Sequence, residues 1–555
     1  MNDIEYQISF VANSVERILE QVDRDIISPT FGCAHPAYWR DRTSDFADMR
    51  RQEVALPLAL LYTYDYPDSP WKADLRLKDT IEALLSFWCK NQYPDGSMDE
   101  WYKGERAFAA VAFSTHAVAR TLGIMKNSLS EEILFRTKEK LDKTGNWLVE
   151  HDDIFKANHQ AVGVAALAAV GEILEKGFFK DKAYKKIKLL LNIQTKEGYF
   201  PEIGQFDIGY TFLTIEFILM AMHLWGDWKY IEPFRRAFDF ACEWVHPDLS
   251  TGKEYGICQN IHISRIAIIL MSKFSQRAAY LRKKIEGRCF GFKGHSYIFS
   301  DDLRLLRNCY SPLLAYDYAK KTQVMGESEK IPLSNGQAGT VMYDNLGLAR
   351  FSCCGSTGIL AAVSGGLVRL FGKKEESVFS DYGYALQLNK IKATNYIYNS
   401  KVRIEKIDKG MALSCSIVLV KKFMPPLLAR KILRLACITP IGASLTRNLI
   451  NIVRKRIVTP INQSSANLSL SQAIGRFNRQ ILFQQGSLKI KDKIQFKKAV
   501  PREALFFLES VGYGQIKNYP LLSRLKGLPE KIKKLEIVKL YSLNENWELK
   551  EITGF

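Results

Sequence analysis

An amide, an imidazole and a phenol stand at the entrances of two strongly apolar segments of this chain. Asn158 and His159 lead into AVGVAALAAVGEIL, and Tyr210 leads into TFLTIEFILMAMHLW about fifty residues later. An amide beside the positive end of a helix can hold a carboxylate, and an imidazole or a phenol can carry a proton. These residue types predict proton transfer on an acidic substrate, and a carbohydrate-active enzyme is the leading interpretation.

Each of these residues also has a purely structural interpretation. Asn158 suits a helix N-cap, because its side chain accepts hydrogen bonds from the first backbone N–H groups. A single histidine such as His159 is often structural, and Tyr210 suits the core if its hydroxyl is bonded. The sequence leaves both interpretations open.

Three loops combine aromatic and acidic side chains, as sugar-binding clefts do. They cover residues 35–53, 90–106 and 199–210. Aromatic rings stack on sugar faces and carboxylates bind sugar hydroxyls, so we expect the three loops to share one cleft. The predicted substrate-binding residues are Tyr38, Trp39, Arg42, Glu100, Trp101, Arg106, Tyr199, Glu202 and Asp207.

Apolar residues recur every three to four positions as far as residue 325, which indicates helix after helix. The loops KNQYPDGSMDEWY and NIQTKEGYFPEIG resemble each other. Repeated helix pairs whose loops return to one side predict an α/α toroid over residues 1–325. The predicted helices are 5–29, 48–64, 75–91, 106–122, 131–150, 159–176, 181–194, 210–226, 229–246, 259–285 and 301–321.

Beyond residue 325 the segments become short and rich in β-branched and aromatic residues, with glycine turns between them. This pattern predicts an antiparallel β-sandwich over residues 326–555. A chain of 555 residues is long enough for two such domains. The fold class is therefore a multidomain α+β protein with an N-terminal toroid.

The net charge of +19 is concentrated in the C-terminal part. Between Asp408 and Asp492 there is no acidic residue and there are 14 lysines or arginines, and residues 424–458 there have helical periodicity. This segment predicts a helical insertion that packs on the sandwich, or an interfacial helix on an anionic membrane surface. Nucleic acid is not favoured, since aromatic residues are not interleaved with the basic ones.

The N-terminus is acidic and amphipathic, unlike a signal peptide, and no long uncharged apolar stretch predicts a transmembrane helix. Together with scattered cysteines, this favours a cytoplasmic protein, peripheral to the membrane if the basic segment binds lipid. We expect no cofactor and no metal, because the cysteine spacing fits no metal site.

The phrases KANHQAV, GQFDIGY and FNRQILFQQGSLKIKDKI resemble the heparinase II/III-like family of polysaccharide lyases. The resemblance implies an α/α toroid followed by a β-sandwich, with Asn158 neutralising a uronate carboxylate and Tyr210 acting as acid or base. That family commonly draws a further catalytic histidine from its β domain. Here all eight histidines lie at or before His295, so His159 or a tyrosine such as Tyr382 or Tyr384 would have to be the base.

The leading hypothesis is a lyase that cleaves an acidic, uronic-acid-containing glycan by β-elimination. One alternative keeps the fold but hydrolyses the glycosidic bond with two carboxylates drawn from Glu100, Glu202 and Asp207. Another is a non-catalytic glycan-binding factor in surface-polysaccharide biosynthesis. A similarity of the QYPDGS turn to terpene cyclases carries little weight, since the chain has no DxDD acid cluster.

Overall fold

A computed structural model describes most of the chain, with helices as far as residue 335 and, from residue 340 onward, antiparallel strands interrupted by two helices within residues 427–453. This confirms the predicted order of a helical part and a β part. The described residues are 2–287, 301–335, 339–353, 356–372, 377–388, 391–420, 427–453, 473–484, 487–510, 516–520, 528–543 and 547–554.

The helices follow the predicted segments closely. A 3₁₀ helix, Met49–Val54, runs directly into α4. The helices are α1 Asp3–Asn13, α2 Val15–Leu19, α3 Pro36–Trp39, α4 Ala55–Thr63, α5 Leu75–Lys90, α6 Phe108–Met125, α7 Glu131–Glu150, α8 Ala157–Ile173, α9 Gly177–Asn192, α10 Ile208–Trp225, α11 Ile231–Ala241, α12 Arg265–Met271, α13 Gln276–Gly287, α14 Asp302–Asn308, α15 Tyr310–Lys321, α16 Pro332–Asn335, α17 Leu427–Ala436 and α18 Pro440–Val453.

Two kinds of helix alternate along the helical part, and their composition explains where they lie. Helices α4, α6, α8, α10 and α12 are apolar almost all round, so they are buried. The helices between them, such as α5, α7 and α9, are amphipathic and cover the buried ones. Each buried helix packs against the next, α12 packs against α15, and α15 packs against α4. The buried helices therefore form a closed cycle.

Helices α6 and α10 are also long and apolar enough to cross a membrane by length and composition alone. However, 78% of the apolar window of α6 and 72% of that of α10 are buried inside the protein. Both helices belong to the buried cycle described above, and core helices have this composition.

The strands form an antiparallel sheet with the order β1-β2-β3-β4-β5-β6-β8-β9-β10-β13-β14; β7 pairs with β8, and β11 pairs with β5 and β12. The strands are β1 Thr340–Tyr343, β2 Leu348–Cys353, β3 Ser356–Ala361, β4 Leu367–Phe371, β5 Ser377–Leu388, β6 Ile391–Thr394, β7 Glu405–Ile407, β8 Gly410–Leu419, β9 Ala473–Gln484, β10 Ser487–Pro501, β11 Leu505–Ser510, β12 Ile516–Pro520, β13 Lys531–Leu543 and β14 Trp547–Gly554.

The first strands pack directly on the helical part. Residues Leu348 and Phe371 belong to the same apolar core as the helices, whereas a second core lies within the sheet. Polar contacts reinforce this junction, with Arg369 bonded to Glu254 at 2.7 Å and Arg350 to Glu243 at 3.0 Å. The position of the domain boundary near residue 325 stays a prediction.

Four charged side chains are buried inside the sheet. Arg479 bonds the carboxylates of Asp381 at 2.9 Å and Asp492 at 2.7 Å. The ammonium of Lys539 reaches the same carboxylates at 2.7 and 3.0 Å, and the Tyr384 hydroxyl donates to Asp492. Two positive and two negative charges balance, which is what permits burial.

Removing one charge from this buried group should destabilise the protein strongly. We expect Lys539→Met to lower the free energy of unfolding by about 3–5 kcal/mol, because two buried carboxylates are left with the single positive charge of Arg479. The control is Lys493→Met, which removes the exposed partner of Glu536 and should cost about 1 kcal/mol or less. Denaturant unfolding checks both, and equal losses in the two variants would contradict this account.

Candidate active site

The buried helices α6, α8 and α10 begin at one end of their cycle, because an amphipathic helix carries the chain back before each of α8 and α10. The loops that precede them, 91–107, 151–156 and 193–207, therefore meet at that end. Helix N-termini carry partial positive charge, which favours anionic groups beside them. Most of the side chains predicted to do chemistry lie in these loops or in the first helical turns.

Asn158 lies in the first turn of α8 and is 1% exposed. Its side-chain amide donates to Glu202 Oε2 at 2.7 Å. The N-cap of α8 is Lys156, without a side-chain cap bond, so the interpretation of Asn158 as an N-cap is wrong. The amide instead points to the loop that precedes α10, where it is hydrogen-bonded to the Glu202 carboxyl group.

The partner carboxyl, Glu202, is held by backbone pairing. Its N–H donates to Gln205 O at 2.8 Å, and Glu202 also forms a bridge with Lys156 at the start of α8. Burial raises the pKa of Glu202 to about 8, against the lowering effect of the Asn158 hydrogen bond. Glu202 is therefore mostly uncharged at neutral pH, and the site gains no negative charge from it.

His159 is paired with a carboxylate at the edge of the same site. Its Nδ1 lies 2.8 Å from Asp153 Oδ2, and burial lowers the pKa of the imidazole below its ordinary value. A carboxylate accepts the proton of Nδ1–H, and a neutral ring that donates from Nδ1 has a free lone pair on Nε2. Among the described residues Nε2 has no hydrogen-bond partner.

A buried ionic cluster joins the loops on the other side of His159. Arg50 stacks on Phe113 with its guanidinium carbon 3.7 Å from the ring centroid, and the edge of His159 meets the same ring. Arg50 Nε donates to Glu53 at 2.7 Å, and Arg50 lies 3.6 Å from Glu100. The loops containing residues 50 and 100 therefore meet beside His159.

Arg307, on α14, closes this cluster from the C-terminal end of the helical part. It donates to Asp48 at 2.9 Å and lies 3.4 Å from Glu100. The sequence analysis did not single out Arg307, because a cation on a short amphipathic helix is usually exposed. Arg50 and Glu53 stood in a predicted loop, but their mutual pairing has no sequence signal beyond the spacing of three.

Tyr210 is positioned by the carboxylate of Asp207. Asp207 Oδ1 accepts the Tyr210 N–H at 3.0 Å, while Oδ2 accepts the N–H groups of Cys258 at 2.9 Å and Asn260 at 3.4 Å. Burial raises the pKa of Asp207 to about 7, although these donors favour its ionised form. The side chain of Tyr210 is half-buried.

The segment 256–262 lies directly on the first turn of α10. A Cβ at Gly209 would come within 2.5 Å of Asn260, so only glycine permits this approach. The segment brings in His262, whose Nε2 lies 3.2 Å from Glu216; the same carboxylate accepts the Tyr310 hydroxyl at 2.6 Å. This second imidazole at the site was not among the predicted residues.

The other predicted residues are spread over several environments. Tyr199 is buried against Phe206 and Phe240, and Trp39 donates to the Gln21 carbonyl, so both stabilise the fold. Among the predicted aromatic residues, Trp101 is exposed, at 69% of its surface.

Three further predicted residues lie nearer the surface. Arg106 is ion-paired with Asp95 at 2.6 Å. Arg42 is exposed and Tyr38 is half-buried. Their contact with substrate stays a prediction.

The two tyrosines of the β part are not available as the missing base. Tyr384 is buried within the sheet and donates to Asp492, and Tyr382 is buried beside Arg369, which donates to its hydroxyl at 2.6 Å. Both hydroxyls are buried and engaged by Asp492 or Arg369, which argues against either tyrosine as the base. The imidazole beside Asn158 is His159, and His262 lies on the segment that packs on the first turn of α10.

The arrangement supplies one hydrogen-bond donor for a carboxylate and one neutral imidazole with a free nitrogen, at the entrances of neighbouring helices. It also holds carboxyl groups uncharged or paired. Among the residues that the structure describes, no three His, Cys, Asp or Glu side chains are grouped so as to hold a metal ion.

Comparison with known proteins places the fold. No protein-family model matches the chain, and no curated protein matches its sequence. A solved xanthan lyase structure from Paenibacillus is 11% identical to this chain, with a TM-score of 0.54. The matched region covers 92% of this chain and 47% of the xanthan lyase chain. This chain thus spans about half the length of that lyase.

A second solved structure, the chondroitin AC lyase of Streptomyces coelicolor A3 in complex with chondroitin sulphate, is 9% identical with a TM-score of 0.53. The matched region covers 93% of this chain and 71% of the chondroitin AC lyase chain. At such identities the likeness is one of fold alone. The chain therefore has the fold of polysaccharide lyases.

Asp207 should matter far more for stability than an ordinary helix cap. We expect Asp207→Ala to cost about 3 kcal/mol or more, because buried N–H groups from two segments lose their acceptor. The control is Asp74→Ala, which caps α5 alone and is solvent-accessible; it should cost about 1 kcal/mol. Denaturant unfolding compares the two variants. A loss of only about 1 kcal/mol for Asp207→Ala, as for an ordinary helix cap, would contradict this expectation.

Proposed function

We propose that this protein is a polysaccharide lyase that cleaves an acidic, uronic-acid-containing glycan by β-elimination. The observation that carries the proposal is the neutral His159, fixed by Asp153 with Nε2 free, next to the amide of Asn158. We further propose that the closed cycle of buried helices is the inner wall of an α/α toroid. The sheet would be the β-sandwich of a heparinase II/III-like lyase.

In the proposed reaction, the uronate carboxylate lies against Asn158 at the entrance of α8. The amide and the helix end make the C–H next to that carboxylate more acidic. Nε2 of His159 takes this proton, a carbon–carbon double bond forms, and the bond to the glycosidic oxygen breaks. Tyr210 donates its phenolic proton to that oxygen and regains one from water, and His159 releases the proton it took to water.

Glu202 has to leave the Asn158 amide, or share it, when the substrate carboxylate arrives. An amide nitrogen carries two protons, so Asn158 has a second donor to offer. Because burial keeps Glu202 largely protonated below about pH 8, it does not repel an anion there. An ionised Glu202 would, and this makes Glu202 a pH-sensitive determinant of substrate binding.

An acidic polysaccharide is the partner that the charge and the fold favour. The chain carries a net charge of +19, which attracts polyanions. The neighbours of the same fold are lyases named for xanthan and for chondroitin.

Hydrolysis by paired carboxylates is less well supported. Glu100 is ion-paired with Arg50 and Arg307, and the Asp207 carboxylate accepts three backbone N–H groups. Both side chains are therefore already engaged within the protein, which does not favour them as the acid and base of hydrolysis.

Removing the base should abolish elimination without unfolding the protein. We expect His159→Gln to lower kcat/KM by about 10²–10⁴-fold, the usual contribution of a general base. The assay follows the ultraviolet absorbance of the unsaturated uronate over a panel of uronic-acid polysaccharides, with Asn158→Ala and Tyr210→Phe in parallel.

The control variant is His223→Gln, which removes a histidine from the last turn of α10, at the far end of that helix. It should keep the wild-type rate. An absorbance signal that survives His159→Gln would overturn the assignment of the base. Binding of the polysaccharide without any product would favour the glycan-binding factor instead.

The pH profile should have an upper limb that belongs to Glu202. Since the folded-state pKa of Glu202 is raised to about 8, the group is neutral below that pH and becomes an anion above it. We expect kcat/KM for an anionic glycan to fall as pH rises through about 8, mainly through KM. Glu202→Gln should remove this limb while keeping the limb at low pH that reflects protonation of His159. A limb that stays in place in Glu202→Gln would assign it to another group.

A further inference from the structure

Helices α17 and α18 carry an apolar surface that nothing described in the structure covers. No residue of α17 is buried. Nine large apolar side chains of the two helices and their connection are 51–75% exposed: Leu427, Leu428, Ile432, Leu435, Ile438, Ile441, Leu445, Leu449 and Ile452. We call this set the exposed face.

The exposed face follows helical spacing and is not a scatter of single residues. On α17, Leu428, Ile432 and Leu435 are separated by four and three positions, so they share one side. On α18, Ile441 and Leu445 begin a similar stripe that continues at Leu449 and Ile452. Single apolar residues are normal on protein surfaces, but continuous apolar patches mark sites of interaction.

The opposite side of this helix pair rests on the loops at the mouth of the candidate active site. Ala443 packs on Gly104, where positive φ and the close contact both require glycine. Arg447 donates to the Gly104 carbonyl at 3.1 Å, and Arg434 donates to the Thr43 carbonyl at 3.3 Å. The sequence predicted that this segment packs on the sandwich, but these contacts of α17 and α18 are with the helical part. They lead to the loops at residues 43 and 104.

The charges around the exposed face identify the kind of partner. No acidic residue lies between Asp408 and Asp492, and Arg430 and Lys431 are exposed beside the apolar stripe of α17. Apolar side chains flanked by cations are the composition of helices that lie in the interface of an anionic membrane. A second copy of this chain would bring the same positive charge and repel it.

A nucleic acid is disfavoured by the chemistry of the same face. Residues 427–453 contain no Phe, Tyr or Trp on which bases could stack. Phosphates would need the cations but would leave the nine aliphatic side chains in water. An anionic bilayer accommodates both, because acyl chains receive the leucines and isoleucines while lipid headgroups neutralise the arginines and lysines.

We propose that α17 and α18 bind the surface of an anionic lipid bilayer, with their axes along the membrane plane. The helices contact the loops at residues 43 and 104, so the bound protein holds the mouth of the candidate active site beside the membrane. A glycan attached to or emerging at the lipid surface would then reach the site directly. This proposal stands on the exposed face and does not depend on the catalytic mechanism.

The test is flotation of the full-length protein with vesicles. Vesicles of phosphatidylcholine alone are compared with vesicles containing one quarter phosphatidylglycerol. We expect binding to the anionic vesicles only, weakened by salt. Arg430→Gln/Lys431→Gln should lower the affinity by about fivefold for each charge removed. Ile432→Gln/Leu435→Gln/Ile441→Gln/Leu445→Gln should abolish binding.

The matched control is Ile26→Gln/Ile27→Gln, which removes two apolar side chains that are 80% and 87% exposed elsewhere on the surface. It should bind vesicles like the parent, and thermal melting checks that every variant is folded. Failure of the parent protein to bind anionic vesicles would overturn the proposal. So would a parent dimer in solution that the four-residue variant dissociates, or binding to an oligonucleotide in place of vesicles.

Discussion

The carboxylate of Asp207 receives backbone N–H groups from two separate segments, and the geometry of the candidate site depends on it. It caps α10 through Tyr210 and fixes residues 258 and 260 on the same helix end. A buried acid with several donors is costly to remove and cannot shift. Around this fixed point, α8 presents Asn158 and His159, and the loop before α10 presents Glu202.

Burial sets the protonation of the groups that matter. The same desolvation that raises the pKa of Glu202 to about 8 lowers that of His159, so both groups are mostly uncharged at neutral pH. An uncharged acid and an uncharged base can face an anionic sugar without repelling it or competing for it. The ionic cluster around Arg50 and Arg307 supplies the rigid wall against which this site is built.

Uniform apolar segments and amphipathic ones were enough to predict the helical part. The segment 131–150 is a helix with the predicted bounds, because its amphipathic spacing is unbroken. The predicted helix 5–29 is instead two helices, α1 and α2, that end at Leu19; beyond them the Ser28 and Thr30 hydroxyls donate to Asp23 and the chain turns. The predicted helix 259–285 begins only at Arg265, since Asp207 holds the preceding loop in place.

What the sequence did not reveal are contacts between distant charges. On β13, Lys539 occupies an inward-facing position, where the alternation of apolar residues predicts another apolar side chain. Its partner carboxylates, Asp381 and Asp492, are 158 and 47 residues away. The pairing of Asn158 with Glu202 is likewise set by two loops that meet only in the folded chain. Residue type and spacing proposed the candidate residues, whose role in catalysis stays a prediction, whereas the electrostatics around them needed the structure.

The fate of water in the reaction tests the central claim most directly. The protein is incubated with a uronic-acid polysaccharide in water enriched in oxygen-18, and the oligosaccharide products are weighed by mass spectrometry at early times. Elimination breaks the glycosidic bond without adding water, so the account predicts unsaturated products that contain no heavy oxygen. Saturated products in which each cleaved bond has taken up one molecule of water, with its heavy oxygen on the new reducing end, would show hydrolysis and contradict it.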